Sequence, residues 1–285
     1  MLLFKRLVAT LAAFVGLFTC IDAALAASGQ PSPWEMKLQG SDSTVMDSIV
    51  SFHHFLVVVI TLIVLFVLVL LGIIIFRFNN RANPVPSRTT HNTTLEVIWT
   101  IVPVLILAVI AIPSFRLLFT QLDIPKADLT VKATGKQWYW SYSYPDNGNF
   151  EFDSIMVQEK DLKPGQPRLL AVDNELVVPV GKVVRVLTTG ADVIHSFSVP
   201  AFGVKIDAIP GRVNETWFKA EREGTYYGQC SQLCGRDHAF MPIAVHVVSD
   251  ADFKTWVAQA KTKYSERDDD ARTTVASALP APGVN

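Results

Sequence analysis

Apolar and polar positions divide the chain into an apolar part before about residue 120 and a β-patterned part after it. Phe55 to Phe76 carries no charge and only Thr61 as a polar residue, so a helix there is apolar on every face and belongs in lipid. Val97 to Leu118 predicts a second span, despite Pro103, Pro113, Ser114 and Arg116. Proline is tolerated in membrane helices whose freed backbone groups find other partners. Together these predict a transmembrane helical hairpin over residues 51–120, with spans at about 55–76 and 97–118. The first 27 residues read as a secretory signal peptide: Lys5 and Arg6 precede the apolar run Leu7 to Ile21, and Ala24-Leu25-Ala26 follows as a cleavage pattern. A third membrane helix is the alternative, but the apolar run is shorter than the ~20 residues a span needs. A lipoprotein signal centred on Cys20 is disfavoured by bulky Phe18. Residues 28–50 are then a short extracytoplasmic segment.

Arg77, Arg81 and Arg88 lie between the spans, with no acid before Glu96. Basic short loops stay in the cytoplasm, so both flanks face outward. The signal peptide leads to the same orientation. From Leu129 to Val248 short β-rich runs alternate with turn residues, a pattern that predicts a sandwich or barrel over 121–250. The predicted strands are 129–134, 138–144, 169–172, 176–180, 183–188, 195–199, 215–218, 226–229 and 243–248. Phe253, Trp256, Val257 and Ala260 recur at helical spacing after Ser249 and Asp250, which predicts a helix over 251–264. The charged, then Ala/Pro-rich residues 265–285 predict a disordered tail.

The 285 residues carry a formal net charge of -1, which gives no electrostatic case for nucleic acid. Three cysteines allow at most one disulfide in the mature domain, so the β-domain is no disulfide scaffold. The chemistry concentrates in Tyr226–Pro242, where Cys230, Cys234, His238 and Met241 fall within twelve residues, with His195 in an earlier strand-like run. A bare disulfide, a satisfied histidine and a core methionine are the plain readings of each residue alone. Zinc would be content with two Cys and two His and would leave Met241 idle. Soft sulfur with imidazole and a thioether suits copper. A one-copper blue site needs one Cys; the second allows two copper ions to share two bridging sulfurs, each with a terminal histidine, with Met241 and a loop carbonyl completing the set.

These segments resemble subunit II of the cytochrome c oxidase family over roughly residues 50 to 260. The resemblance is carried by Phe78–Pro86, Glu96–Pro103, Gly135–Tyr142, Asp207–Arg212 and the copper loop. It implies an all-β cupredoxin-like Greek-key barrel behind the two-helix transmembrane hairpin, and the dinuclear centre called copper A. The family ligands map onto His195, Cys230, Cys234, His238 and Met241, with the main-chain carbonyl of Gln232. It further implies Trp138 as the exposed tryptophan that takes the electron from cytochrome c, and Glu96 at the mouth of a proton path into subunit I. A basic cytochrome c implies acidic docking residues, for which Asp146, Glu151, Asp173 and Asp192 are candidates. Where the family usually has a glutamate that helps hold a magnesium ion against subunit I, this chain has Gln232, and an amide is a poorer ligand for a hard dication. The implied role is electron input to a proton-pumping, oxygen-reducing complex in a bacterial inner membrane. The partners are subunit I, other oxidase subunits, cytochrome c and lipid. Three rivals stand beside it. A copper-free quinol oxidase subunit would lack the Cys pair. The copper domain of nitrous oxide reductase would have a propeller domain and no spans. A thiol-disulfide or copper-delivery protein would not need the whole ligand set or the aromatic strand.

Overall fold

The computed structural model describes residues 29–278, with side chains described as far as Tyr264. The expected signal peptide lies outside the described residues. Two compact units divide the described residues, one formed by residues 45–125 and the other by residues 29–44 and 126–278.

The first unit is helical. Helix α1 (Thr44–Arg77, 34 residues) and helix α2 (Thr93–Leu122, 30 residues) are both longer than the apolar spans that mark them in the sequence. At 1.5 Å per residue each exceeds the ~30 Å hydrocarbon core of a bilayer. Both are long and apolar enough to cross a membrane, and their most apolar windows are not buried inside the protein. Three of their hydroxyls are satisfied within the helix: Thr61 bonds the carbonyl of Val57, Thr100 that of Glu96 and Thr120 that of Arg116. Such back-bonding removes the cost of a polar group in lipid. Asn79 ends α1 by donating to the carbonyls of Ile75 and Phe76, and Asn92 starts α2 by accepting from the Leu95 N–H.

The second unit is a mixed β-fold. Its strands are β1 (Leu129–Lys136), β2 (Tyr139–Ser143), β3 (Glu151–Ser154), β4 (Leu176–Pro179), β5 (Val183–Gly190), β6 (His195–Val199), β7 (Val204–Ala208), β8 (Asn214–Lys219), β9 (Gly224–Gln229) and β10 (Pro242–Val248). They form a five-stranded sheet in the order β3-β2-β1-β5-β8, a three-stranded sheet β4-β10-β9 and the pair β6-β7. The β1–β5 and β4–β10 pairs are parallel; the other pairs are antiparallel. One core joins them, with Val131 and Val186 from the large sheet, Val178, Ile243 and Val245 from the small one, and Phe197 from the pair.

Two strands, β3 and β7, arise where the sequence pattern predicts none, and one predicted strand is absent. Residues 168–170 form a turn, and of the predicted strand only Val172 makes a bridge, to Met156. Leu169 has φ 65, outside the extended region a strand requires. Helix α3 (Asp250–Ala278) overruns its predicted end near Tyr264 and runs through residues 265–278 of the segment expected to be disordered. Residues 265–278 contain Glu, Arg and Ala, which favour helix, and no proline until Pro280. Phe253, Val257, Ala260 and Tyr264 are the buried face of α3. The segment before α1 also belongs to this unit. Gly29 O accepts from Tyr227 N, Ser43 Oγ donates to Phe202 O, and the buried Asp42 carboxylate pairs with Arg222.

Candidate metal centre

Two neighbouring structures build the centre: strand β6, which starts at His195, and the loop between β9 and β10. Cys230 follows the last residue of β9. His238 opens a single 3-10 turn, His238–Phe240, and Met241 lies immediately before β10. The loop is tied to β6 by Ser231 N, which donates to Ser196 O at 3.1 Å. Gly228 permits the close approach of the two strands: a Cβ there would lie 1.9 Å from Ser198 O.

The ligand atoms converge. His195 Nδ1 is 4.0 Å from Cys230 Sγ, Cys230 Sγ is 3.9 Å from Cys234 Sγ, and His195, Cys230 and Cys234 keep their donor atoms within 4.8 Å of one another. Cys234 Sγ is 3.5 Å from both His238 Nδ1 and Met241 Sδ, and Cys230 Sγ is 3.3 Å from Gln232 O. All six donors named from the sequence therefore come together. Both cysteines are free thiols. Their separation is far above the ~2.0 Å of a disulfide, and a metal ion bonded to both at about 2.3 Å fits between them. Two thiols, two imidazoles, a thioether and a carbonyl form a donor set soft enough for copper.

Asp192 orients the first histidine. Its Oδ1 lies 2.8 Å from His195 Nε2, so the ring that donates there presents the lone pair of Nδ1 to the sulfurs. The same carboxylate accepts from Gln137 N at 2.7 Å and from Val193 N at 2.7 Å. Gly135 makes room for the ring, since a Cβ there would meet His195 Cδ2 at 2.7 Å. The two thiols are electrostatically unlike. Burial opposes ionisation of Cys230, but contacts with His195 and with the Gln232 and Ser196 backbone outweigh it and pull the thiol down to about 6. Burial, then the charge on Cys230, pushes Cys234 up to about 12. One buried sulfur ionises at the expense of the other, and a bound cation is what allows both to be thiolates.

Trp138 lies in the turn between β1 and β2, half-buried beside the loop. Its Nε1 donates to Cys234 O at 3.3 Å, and Gln137 Nε2 donates to the same carbonyl at 2.8 Å. Gln137 and Gly135 were not legible as site residues, because their roles depend on contacts almost 100 and 60 positions away. Trp140, Tyr142 and Tyr144 are fully buried core residues.

The candidate docking acids are scattered. Asp192 is at the centre itself. Asp173 accepts from Ile155 N and Asn174 N, just beyond β3 at the end where Trp140 pairs Ser154. Glu151 is 3.9 Å from Lys136. Asp146 accepts from Thr130 N at the opposite end of β1 from Gly135, roughly 17 Å away at ~3.3 Å per residue. The structure thus separates Asp146 from Trp138, because the β1–β2 hairpin that carries both is long. Glu96 is in the first turn of α2, in the helical unit, where a negative charge complements the helix dipole.

Comparison with known proteins gives the family. Residues 129–248 match the family model described as cytochrome C oxidase subunit II, periplasmic domain, and residues 31–117 match its transmembrane domain. The probable cytochrome c oxidase subunit 2 of Rickettsia felis is 53% identical over 231 residues, covering 81% of this chain and 73% of the relative. The cytochrome c oxidase subunit 2 of Zea mays is 45% identical over 249 residues, covering 85% and 95%. The crystal structure of the periplasmic domain of subunit II of cytochrome oxidase from Bradyrhizobium japonicum is 70% identical, covering 50% of this chain and 99% of that chain, with TM-score 0.47. With its two apolar helices, its β-domain and these relatives, the chain is a membrane protein that belongs to the cytochrome c oxidase subunit II family.

Proposed function

We propose that the β-domain is the electron-input site of a respiratory cytochrome c oxidase, built around a dinuclear copper A centre and facing the periplasm of a bacterial inner membrane. The observation that carries this reading is the convergence of two free thiols, two imidazoles, a thioether and a carbonyl on one buried spot. A copper pair held by His195, Cys230, Gln232 O, Cys234, His238 and Met241 would accept one electron and share it between two ions. The protein's part is to hold the ligands still. His195 is fixed by Asp192, the loop by Ser196 O and by Gln137, and Met241 by burial at 1% exposure. Ligands that do not move on reduction keep the reorganisation of the site small, which suits electron transfer rather than bond-making.

Trp138 is the proposed point of electron uptake from cytochrome c. It is half-buried against the loop and hydrogen-bonded to Cys234 O, one bond from a ligand residue's backbone. Asp192, Asp173 and Glu151 are the acids proposed to steer a basic donor, an effect that weakens with salt. Glu96 is proposed at the mouth of a proton path. The helices would lie against subunit I and lipid, and oxygen reduction belongs to subunit I. Magnesium, if held at that boundary, would meet the Gln232 amide.

The test is a metal count and electron paramagnetic resonance on the purified complex. Two copper ions per chain with one electron delocalised over both are expected, and Cys230→Ser or Cys234→Ser should each remove that signal. Tight zinc without copper, a single-copper blue spectrum, or a stable Cys230–Cys234 disulfide that never takes metal would overturn the proposal.

A further inference from the structure

Arg236 lies on the indole proposed to take up electrons. Its guanidinium carbon is 5.6 Å from the centre of the Trp138 ring, a cation–π distance. The side chain is 82% exposed, so the contact is no part of the hydrophobic core. Asp237 holds the guanidinium from the other side, with Nη2 3.0 Å and Nε 3.2 Å from its carboxylate oxygens. Beneath it the backbone is built against the same ring. Cys234 O receives the Trp138 and Gln137 side-chain N–H groups. Gly235, at φ +127, comes so close that a Cβ would lie 3.0 Å from Trp138 Cζ2. Three successive loop residues thus meet Trp138, and the last places a full positive charge over it.

Asp237 is the acid in contact with that charge. Asp192 is committed to His195 and to backbone N–H groups, and Asp173 to two backbone N–H groups. The Arg236–Asp237 pair is exposed, and exposed pairs hold weakly. A docking partner can therefore compete for the guanidinium. We propose that Arg236 is a donor-selecting residue: it disfavours an electron donor that brings a lysine against Trp138 and favours one that brings a carboxylate or an uncharged group there. This rests on the reading that Trp138 takes up the electron.

The assembled oxidase tests it in stopped-flow electron transfer at low and high salt. The probes are a cytochrome c with a ring of lysines at its haem edge, and the same cytochrome with one haem-edge lysine replaced by glutamate. Arg236→Gln should raise the second-order rate for the lysine-ringed probe by about two- to fivefold at low salt, the size of one exposed charge pair in water. It should lower the rate for the glutamate probe. Arg236→Lys should keep the parent order of the two donors, and salt should erase both differences. The copper resonance spectrum of Arg236→Gln should match the parent's. Equal changes for both probes, no change for either, or an altered copper spectrum would overturn donor selection. Trp138→Leu in the same assay separates the premise. Unchanged rates there defeat electron uptake at Trp138, whereas slowed rates together with equal Arg236→Gln effects on both probes defeat donor selection alone.

Discussion

Tyr144 illustrates how much one side chain contributes to holding the sheets together. Its hydroxyl donates to Val177 O at 2.7 Å and accepts from Val177 N at 3.0 Å. Val177 is on β4, an edge strand, so the phenol satisfies backbone groups that have no strand beside them. Its ring stacks on Phe150 at 5.0 Å and meets Trp256 of α3 at 5.1 Å. Burial raises the hydroxyl's pKa well above that of a free tyrosine, so it remains a donor. Tyr144→Phe removes both hydrogen bonds and leaves two buried backbone groups unpaired, a loss of about 1–3 kcal/mol by the usual cost of such groups. Denaturant unfolding of the soluble β-domain measures it, and a loss below a few tenths would show that water takes the hydroxyl's place. The aromatic run of β2 was visible in the sequence. Its reach to Val177 was not, because hydrogen bonds across 33 positions leave no local pattern.

The parallel pair β4–β10 carries a second local device. His246 on β10 lies 2.8 Å from Glu175, the residue before β4. The hydrogen bond to Glu175 raises the His246 pKa against a smaller opposing effect of burial. The ion pair therefore stabilises the fold fully below the unfolded histidine value of about 6.5. It is lost as pH rises through the higher folded value. Thermal unfolding of the β-domain should show stability falling over that window, and Glu175→Gln should flatten it. Because His246 is nearly half exposed, the effect is modest. A pH profile unchanged by Glu175→Gln would assign the slope to other groups. The strands themselves follow from alternating apolar positions, except at 169–172, where a left-handed Leu169 defeats an apolar run that reads as extended.

For the assembled oxidase, Gln232 separates two tasks within one residue. Its carbonyl is 3.3 Å from Cys230 Sγ, on the side of the proposed copper pair, while the residue as a whole is exposed beside exposed Leu233. Copper depends on the carbonyl, which any residue supplies. A boundary magnesium ion would depend on the side chain, and such an ion often makes only one or two protein carboxylate contacts. Gln232→Glu should therefore tighten retention of magnesium or manganese in the complex, measured by metal analysis after dialysis, and leave the copper spectrum as it is. A shifted copper spectrum with unchanged divalent metal would reverse this division.

The two spans, the β-patterned domain and the candidate donors of the loop can be read from residue order, because each depends on local features: apolar length, alternation, or soft donors crowded in one loop. His195 stands 35 positions from Cys230, so the sequence offered it as a second imidazole but left its meeting with the loop to the fold. Tertiary structure alone decides which of its nitrogens faces the sulfurs, through Asp192. It also decides that Gly135 and Gly228 must stay small, and that Asp146 lies far from Trp138 while Asp192 lies against His195. It alone places Arg236 over the indole. The reason is physical. Periodicity records how a segment meets water or lipid. Orientation, close approach and the neighbours of a charge arise only when β1, β6 and the copper loop are brought together by a core to which all three sheets contribute.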